Sequence, residues 1–132
     1  MLLIVPAYAA FFGLMFAAIS FRVANARRVK RIGLGNGGDR QLERYVRVQG
    51  NFAEYVPMAL ILLTFLEMQA WRDWLIHLLC AILLVARALH ALGVAREPED
   101  IRLRASGMIA TLTVLIVTSI LLLAGGIWEP PV

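Results

Sequence analysis

The stretch VQGNFAEYVPMALILLTFL, residues 48–66, decides how many times this chain crosses a bilayer. It is long and apolar enough to span the hydrocarbon core, which takes roughly 20 residues of α-helix. Yet it carries Gln49, Asn51, Glu54 and Pro57. Read as a crossing, it joins three other runs: Met1 to Phe21 and Met108 to Ile127, both without charge, and Trp74 to Leu92. No segment alternates apolar and polar residues over the length of a barrel strand. The expected fold is therefore an all-α integral membrane domain, a four-transmembrane-helix bundle over residues 1–132. Its helices should cover about 1–28, 41–68, 72–94 and 101–127.

Composition agrees. Of 132 residues, 61% are hydrophobic, more than a soluble domain of this size can hide. Cys80 is the single cysteine, which excludes an internal disulfide, and it reads as a small buried hydrophobe. The first run lacks a basic segment ahead of it and exceeds a usual signal-peptide core, so it is expected to stay as a helix. The glycine-rich GLGNGG of residues 33–38 follows no strand and precedes no GK[ST], so a flexible connector is favoured over a phosphate loop. Trp71 and Trp74 at the second connection, and Trp128, Glu129, Pro130 and Pro131 at the end of the fourth run, suit membrane–water interfaces.

The net charge of +4 would suggest nucleic acid in a soluble chain, but here the cations flank apolar runs and no nucleic-acid partner is expected. Lys and Arg number eleven around the first and third connections against one, Arg72, at the second. The positive-inside rule puts the first and third connections in the cytoplasm and both termini on the periplasmic side of an inner membrane.

Arg47, Asn51 and Glu54 are spaced by four and then three residues, so they share one helix face. Glu54 lies roughly 10 Å along the axis from Arg47. Charge at membrane depth costs several kcal/mol unless it is paired or solvated. A plain ion-pair network locking helices together is one explanation. A site for a ligand bearing an ammonium and carboxylates is the other, and the set of guanidinium, amide, carboxylate and the phenol of Tyr55 favours it. The third run adds Arg87 and His90, three apart. With His77 at the opposite end, they offer no zinc site, and no Ser-His-Asp set shares a depth. Arg102 and Arg104 open the fourth helix, and at two residues apart only one of them readily faces the interior.

Arg44 to Pro57, RYVRVQGNFAEYVP, resembles the signature of the MAPEG family, the membrane-associated proteins in eicosanoid and glutathione metabolism, with its R-x-x-x-N-x-x-E core and nearby proline. Arg27-Arg28 closes the first helix as in the leukotriene-forming synthase. RALHALG (residues 87–93) and RLRASGM (residues 102–108) resemble the small bacterial inner-membrane branch. The resemblance implies a homotrimer that binds glutathione between subunits near the cytoplasmic face. Arg27, Arg47, Gln49, Asn51, Glu54, Tyr55, Arg87 and His90 would contact glutathione, and Arg102 or Arg104 would stabilise its thiolate. No metal is implied. The implied activity is a glutathione S-transferase or peroxidase acting on lipophilic electrophiles that arrive through the lipid. His90 and Val94 stand where the leukotriene-forming branch has tyrosines, which argues against eicosanoid synthesis. The alternatives are a non-catalytic lipid-binding or scaffold protein using the same pocket, and a small transporter.

Overall fold

The computed structural model describes residues 4–127, and the residues discussed above at 128–131 lie outside it. Four helices follow one another: α1 (Ile4–Lys30), α2 (Arg40–Met68), α3 (Asp73–Ala95) and α4 (Ile101–Ile127). All four are long and apolar enough to cross a membrane. The first helix continues two residues past the expected 28, since nothing in Val29 or Lys30 breaks a helix, and it stops where Arg31 turns to a positive φ of 56°. Pro57 does not divide α2, which runs through it as one element.

Helix ends are tied by specific acceptors. Asp39 caps α2, its Oδ1 accepting from the Leu42 amide at 2.8 Å. The same carboxylate pairs with Lys30, which holds its pKa below the ordinary range, helped by the Leu42 bond. Asp100 Oδ1 accepts from the Arg102 and Leu103 amides, both at 3.1 Å, and so starts α4. At the other end of the molecule the two Glu67 oxygens accept from the amides of Ile4 and Val5 at 2.8 and 2.9 Å. A carboxylate of α2 thereby serves the orphan donors of α1, which favour negative charge.

The helices do not pack equally. α3 lies most closely on α4, α1 packs mainly on α2, and among the described residues α1 makes no contact with α4. The α3–α4 approach depends on two glycines. A Cβ at Gly107 would fall 2.6 Å from the His90 backbone nitrogen, and one at Gly93 would meet the Arg104 backbone. Small residues let membrane helices approach closely enough for van der Waals contact to hold them. The core at the Glu67 end is apolar, built from Leu63, Leu66, Ile76, Cys80 and Leu83. Midway, Phe16 stacks on Phe52 with ring centroids 5.6 Å apart. Phe11, Leu14, Ile116, Ile120 and Leu123 project outward, as lipid-facing residues do.

Gly107→Ala should destabilise the bundle by about 1–3 kcal/mol, the usual cost of overpacking. Gly13→Ala, with nothing within 4 Å of its added methyl, should not. Unfolding of both variants in detergent by increasing SDS measures the difference, and equal midpoints would refute this account of the α3–α4 contact.

Candidate functional site

The stripe on α2 opens onto a cleft of about 430 Å³, within the size range of small-molecule sites of about 300–1,000 Å³. Glu43, Arg44, Arg47, Asn51 and Glu54 come from α2, His90 and Val94 from α3, Glu99 from the third connection and Arg104 from α4. The helical period explains the α2 contribution: positions 43 or 44, 47, 51 and 54 recur every three or four residues.

Three of these charged side chains are uncommitted. Glu43, Arg47 and Glu54 are exposed in the single chain and have no side-chain hydrogen-bond or ion-pair partner among the described residues. Glu54 is equidistant from the two ends of α2, Arg40 and Met68. The others are held. Arg44 Nη1 donates to the carbonyls of Arg96 at 2.9 Å and Val94 at 3.4 Å, so a cation meets the negative end of α3. Arg104 Nη1 donates to Glu99 Oε1 at 2.7 Å.

Behind the cleft wall lies Arg87, only 1% exposed. Its Nη2 donates to Asn51 Oδ1 at 2.6 Å, and its Nη1 to Thr111 Oγ1 at 3.4 Å. Thr111 in turn donates to the Gly107 carbonyl at 2.8 Å. Nη2 also lies 3.4 Å from His90 Nδ1. Arginine only donates, so Nδ1 accepts and the ring proton belongs on Nε2. Arg87 Nε has no partner, and no carboxylate pairs with this guanidinium among the described residues. The Arg87 cation thus fixes Asn51, from α2, and His90 at the boundary of the cleft.

Of the residues expected from sequence, Arg47, Asn51, Glu54, His90 and Arg104 meet around one space. Arg87 reaches it through Asn51. Four others are elsewhere. Arg27 donates to the carbonyls of Gly35 at 2.8 Å and Gly33 at 3.5 Å and braces the glycine-rich connection. Gln49 donates to Ser20 Oγ at 3.0 Å and ties α2 to α1. Tyr55 is half-buried off the cleft. Arg102 lies on the outer surface beside Pro98 and Glu99. Sequence reasoning did not place Glu43, Arg44 or Glu99 in the site. The first two continue the period of the α2 stripe one turn back. Glu99 lies in a short polar connection and carried no periodic signal.

A cleft that gathers carboxylates and guanidiniums inside a four-helix multi-pass membrane protein defines the class. A family model, that of the MAPEG family, matches residues 5–124, and the chain belongs to that family. It is 33% identical over 124 residues to inner membrane protein YecN of Escherichia coli strain K12, an alignment covering 94% of this chain and 90% of YecN. YecN of Escherichia coli O6:H1 matches to the same extent. The protein is a multi-pass inner-membrane protein of this family.

Asn51→Leu should cost about 1–3 kcal/mol, because it strands a donor of a buried cation. The double variant Asn51→Leu/Arg87→Met should recover most of that loss, since apolar groups can replace a buried polar pair at little net cost. SDS unfolding of both single variants and the double variant tests the coupling. Simple additivity would show that the two side chains do not depend on each other.

Proposed function

We propose that this protein binds glutathione in the α2–α3–α4 cleft and activates its thiol toward lipophilic electrophiles, by conjugation or peroxide reduction. The observation that carries the reading is the unpartnered pair Arg47 and Glu54 on the cleft wall, with Arg104 across from them. Glu54 suits the γ-glutamyl ammonium and Arg47 a carboxylate, which a guanidinium fork matches well. Arg104, rather than Arg102, then has the position to stabilise the sulfur. A free thiol has a pKa of about 8.5, and the thiolate is the nucleophile. Lowering that value by two units takes about 2.7 kcal/mol, which a nearby cation in a dry site can supply. The second substrate, a lipophilic small molecule or lipid, reaches the cleft from the membrane.

The same pair supports assembly with neighbouring copies, and the family resemblance implies three copies in all. Unpaired charge at membrane depth costs several kcal/mol. A neighbouring copy laid over this face would screen Arg47 and Glu54 and close the cleft around its ligand. The cation count supports an orientation with both termini periplasmic.

An apolar groove of about 270 Å³ between α1 and α2, lined by Phe12, Phe16, Phe52, Val56, Pro57 and Leu60, favours a second reading. In it the protein binds lipid without catalysis.

Calorimetric titration with glutathione should show binding to the detergent-solubilised protein, weakened at least about tenfold in Arg47→Ala and Glu54→Gln, the effect of losing one charged hydrogen bond of about 1.5–3 kcal/mol. Thiolate absorbance should appear on adding glutathione, disappear in Arg104→Ala and persist in Arg102→Ala. Native mass spectrometry of the same sample should give three copies. Co-purified lipid with neither heat nor thiolate signal would sink the enzymatic reading in favour of lipid binding. For orientation, Cys80 is buried, so an introduced cysteine can be labelled without interference. Leu34→Cys should be shielded from an impermeant maleimide in intact spheroplasts, and Arg72→Cys should react. The reverse pattern would invert the topology.

A further inference from the structure

The cleft wall brings Glu43, Glu54 and Glu99 against Arg44, Arg47 and Arg104, so its formal charges balance. Two of these charges are spent on each other. Glu99 Oε1 lies 2.7 Å from Arg104 Nη1, and that contact is the only hydrogen bond Glu99 makes among the described residues. Arg104 is the cation that the proposed thiolate needs. A guanidinium already paired with a carboxylate stabilises a second anion poorly, and a carboxylate within about 4–6 Å of a thiol disfavours its ionisation.

We infer that Glu99 is an internal competitor: it occupies Arg104 until the sulfur of a bound thiol ligand displaces it. This rests on the glutathione reading given above. The two partners differ in freedom. The Arg104 amide donates to the Asp100 carbonyl at 3.0 Å, and its backbone packs against Gly93 too closely for a Cβ there. Asp100 is held in turn, its own amide bonded to the Gly93 carbonyl at 3.1 Å and its side chain capping α4. Among the described residues each side chain is bonded only to the other, so the difference lies in the backbone: Glu99 stands one residue before this anchored turn, in the connection. When the pair opens, Glu99 is therefore the side that leaves. The thiol gives its proton to water, and Arg104 exchanges a carboxylate for a thiolate. Nothing is oxidised or reduced in the exchange.

The competitor also sets specificity. A carboxylate tethered a few residues away acts at a high effective concentration, in the millimolar range for short flexible links. A small thiol held by nothing else and present well below that concentration cannot outcompete it. A ligand anchored separately at Arg47 and Glu54 can, because its sulfur is tethered too. Glu99 thus restricts activation to thiols that carry both an ammonium and a carboxylate.

The test uses the full-length detergent-solubilised protein and Glu99→Gln, with matching gel-filtration profiles as the check on folding. Titration with glutathione should give the thiolate signal at about tenfold lower concentration in the variant, the effect of relieving one unit of like-charge shift. The variant should also ionise 2-mercaptoethanol, which the parent should not. Equal or weaker thiolate formation in Glu99→Gln overturns the inference. A second readout needs no thiol: phenylglyoxal modification of Arg104, followed by peptide mass, should be faster in Glu99→Gln, and an unchanged rate also overturns it. If glutathione gives no signal with either protein, the glutathione reading fails. The Arg104 modification rate then decides by itself whether Glu99 guards that cation.

Discussion

A guanidinium that meets no carboxylate among the described residues sits where α2, α3 and α4 converge. Arg87 is enclosed by protein and bonded to neutral acceptors, Asn51 from α2 and Thr111 from α4, with the His90 ring alongside. Three helices are therefore committed to one buried cation. Neutral acceptors solvate such a charge without cancelling it, so its positive potential remains available at the cleft wall. Removing any acceptor leaves a donor of that cation bare, where water cannot easily replace what was lost. The close α3–α4 approach at Gly107 belongs to the same arrangement, because Thr111 stands one turn further along α4 and donates back to the Gly107 carbonyl.

The polar half of the protein is thus layered. Arg87 is at the back, Asn51 and His90 form the wall, and Arg47, Glu54 and Arg104 form the face. Among the described residues, whole side chains without partners, Arg47 and Glu54, occur in the outermost layer, while at the back one donor, Arg87 Nε, is left over. The rest is spent on holding that layer in place, which suits a site whose front residues must keep charges ready in a low-dielectric setting.

Much of this could be read from the sequence. Four crossings followed from the length of the apolar runs, and the α2 stripe followed from spacing alone. Both are local properties of a helix, and helix periodicity carries them faithfully. Residues whose role depends on a second helix were less legible. Gln49 and Arg27 match a ligand-binding pattern by position, but one bonds Ser20 and the other the carbonyls of its own connection. Arg102 and Arg104 differ only in the direction each takes from the start of α4, which the turn at Asp100 determines. Glu99 was invisible for the same reason: its place comes from the path of a connection, and connections have no period. Glu67 carries no periodic signal either, because the amides it accepts from are 62 and 63 residues earlier in the chain.

That last contact carries an order of assembly within it. The leading amides of α1 are made first, yet the carboxylate that receives them belongs to the final turns of α2. Until the ribosome has delivered Glu67, the amino end of α1 must lean on water or lipid headgroups for those bonds. The first hairpin therefore latches at its open end only when its second arm is complete, and a nascent chain halted before that point would hold two helices side by side with their far ends unfastened.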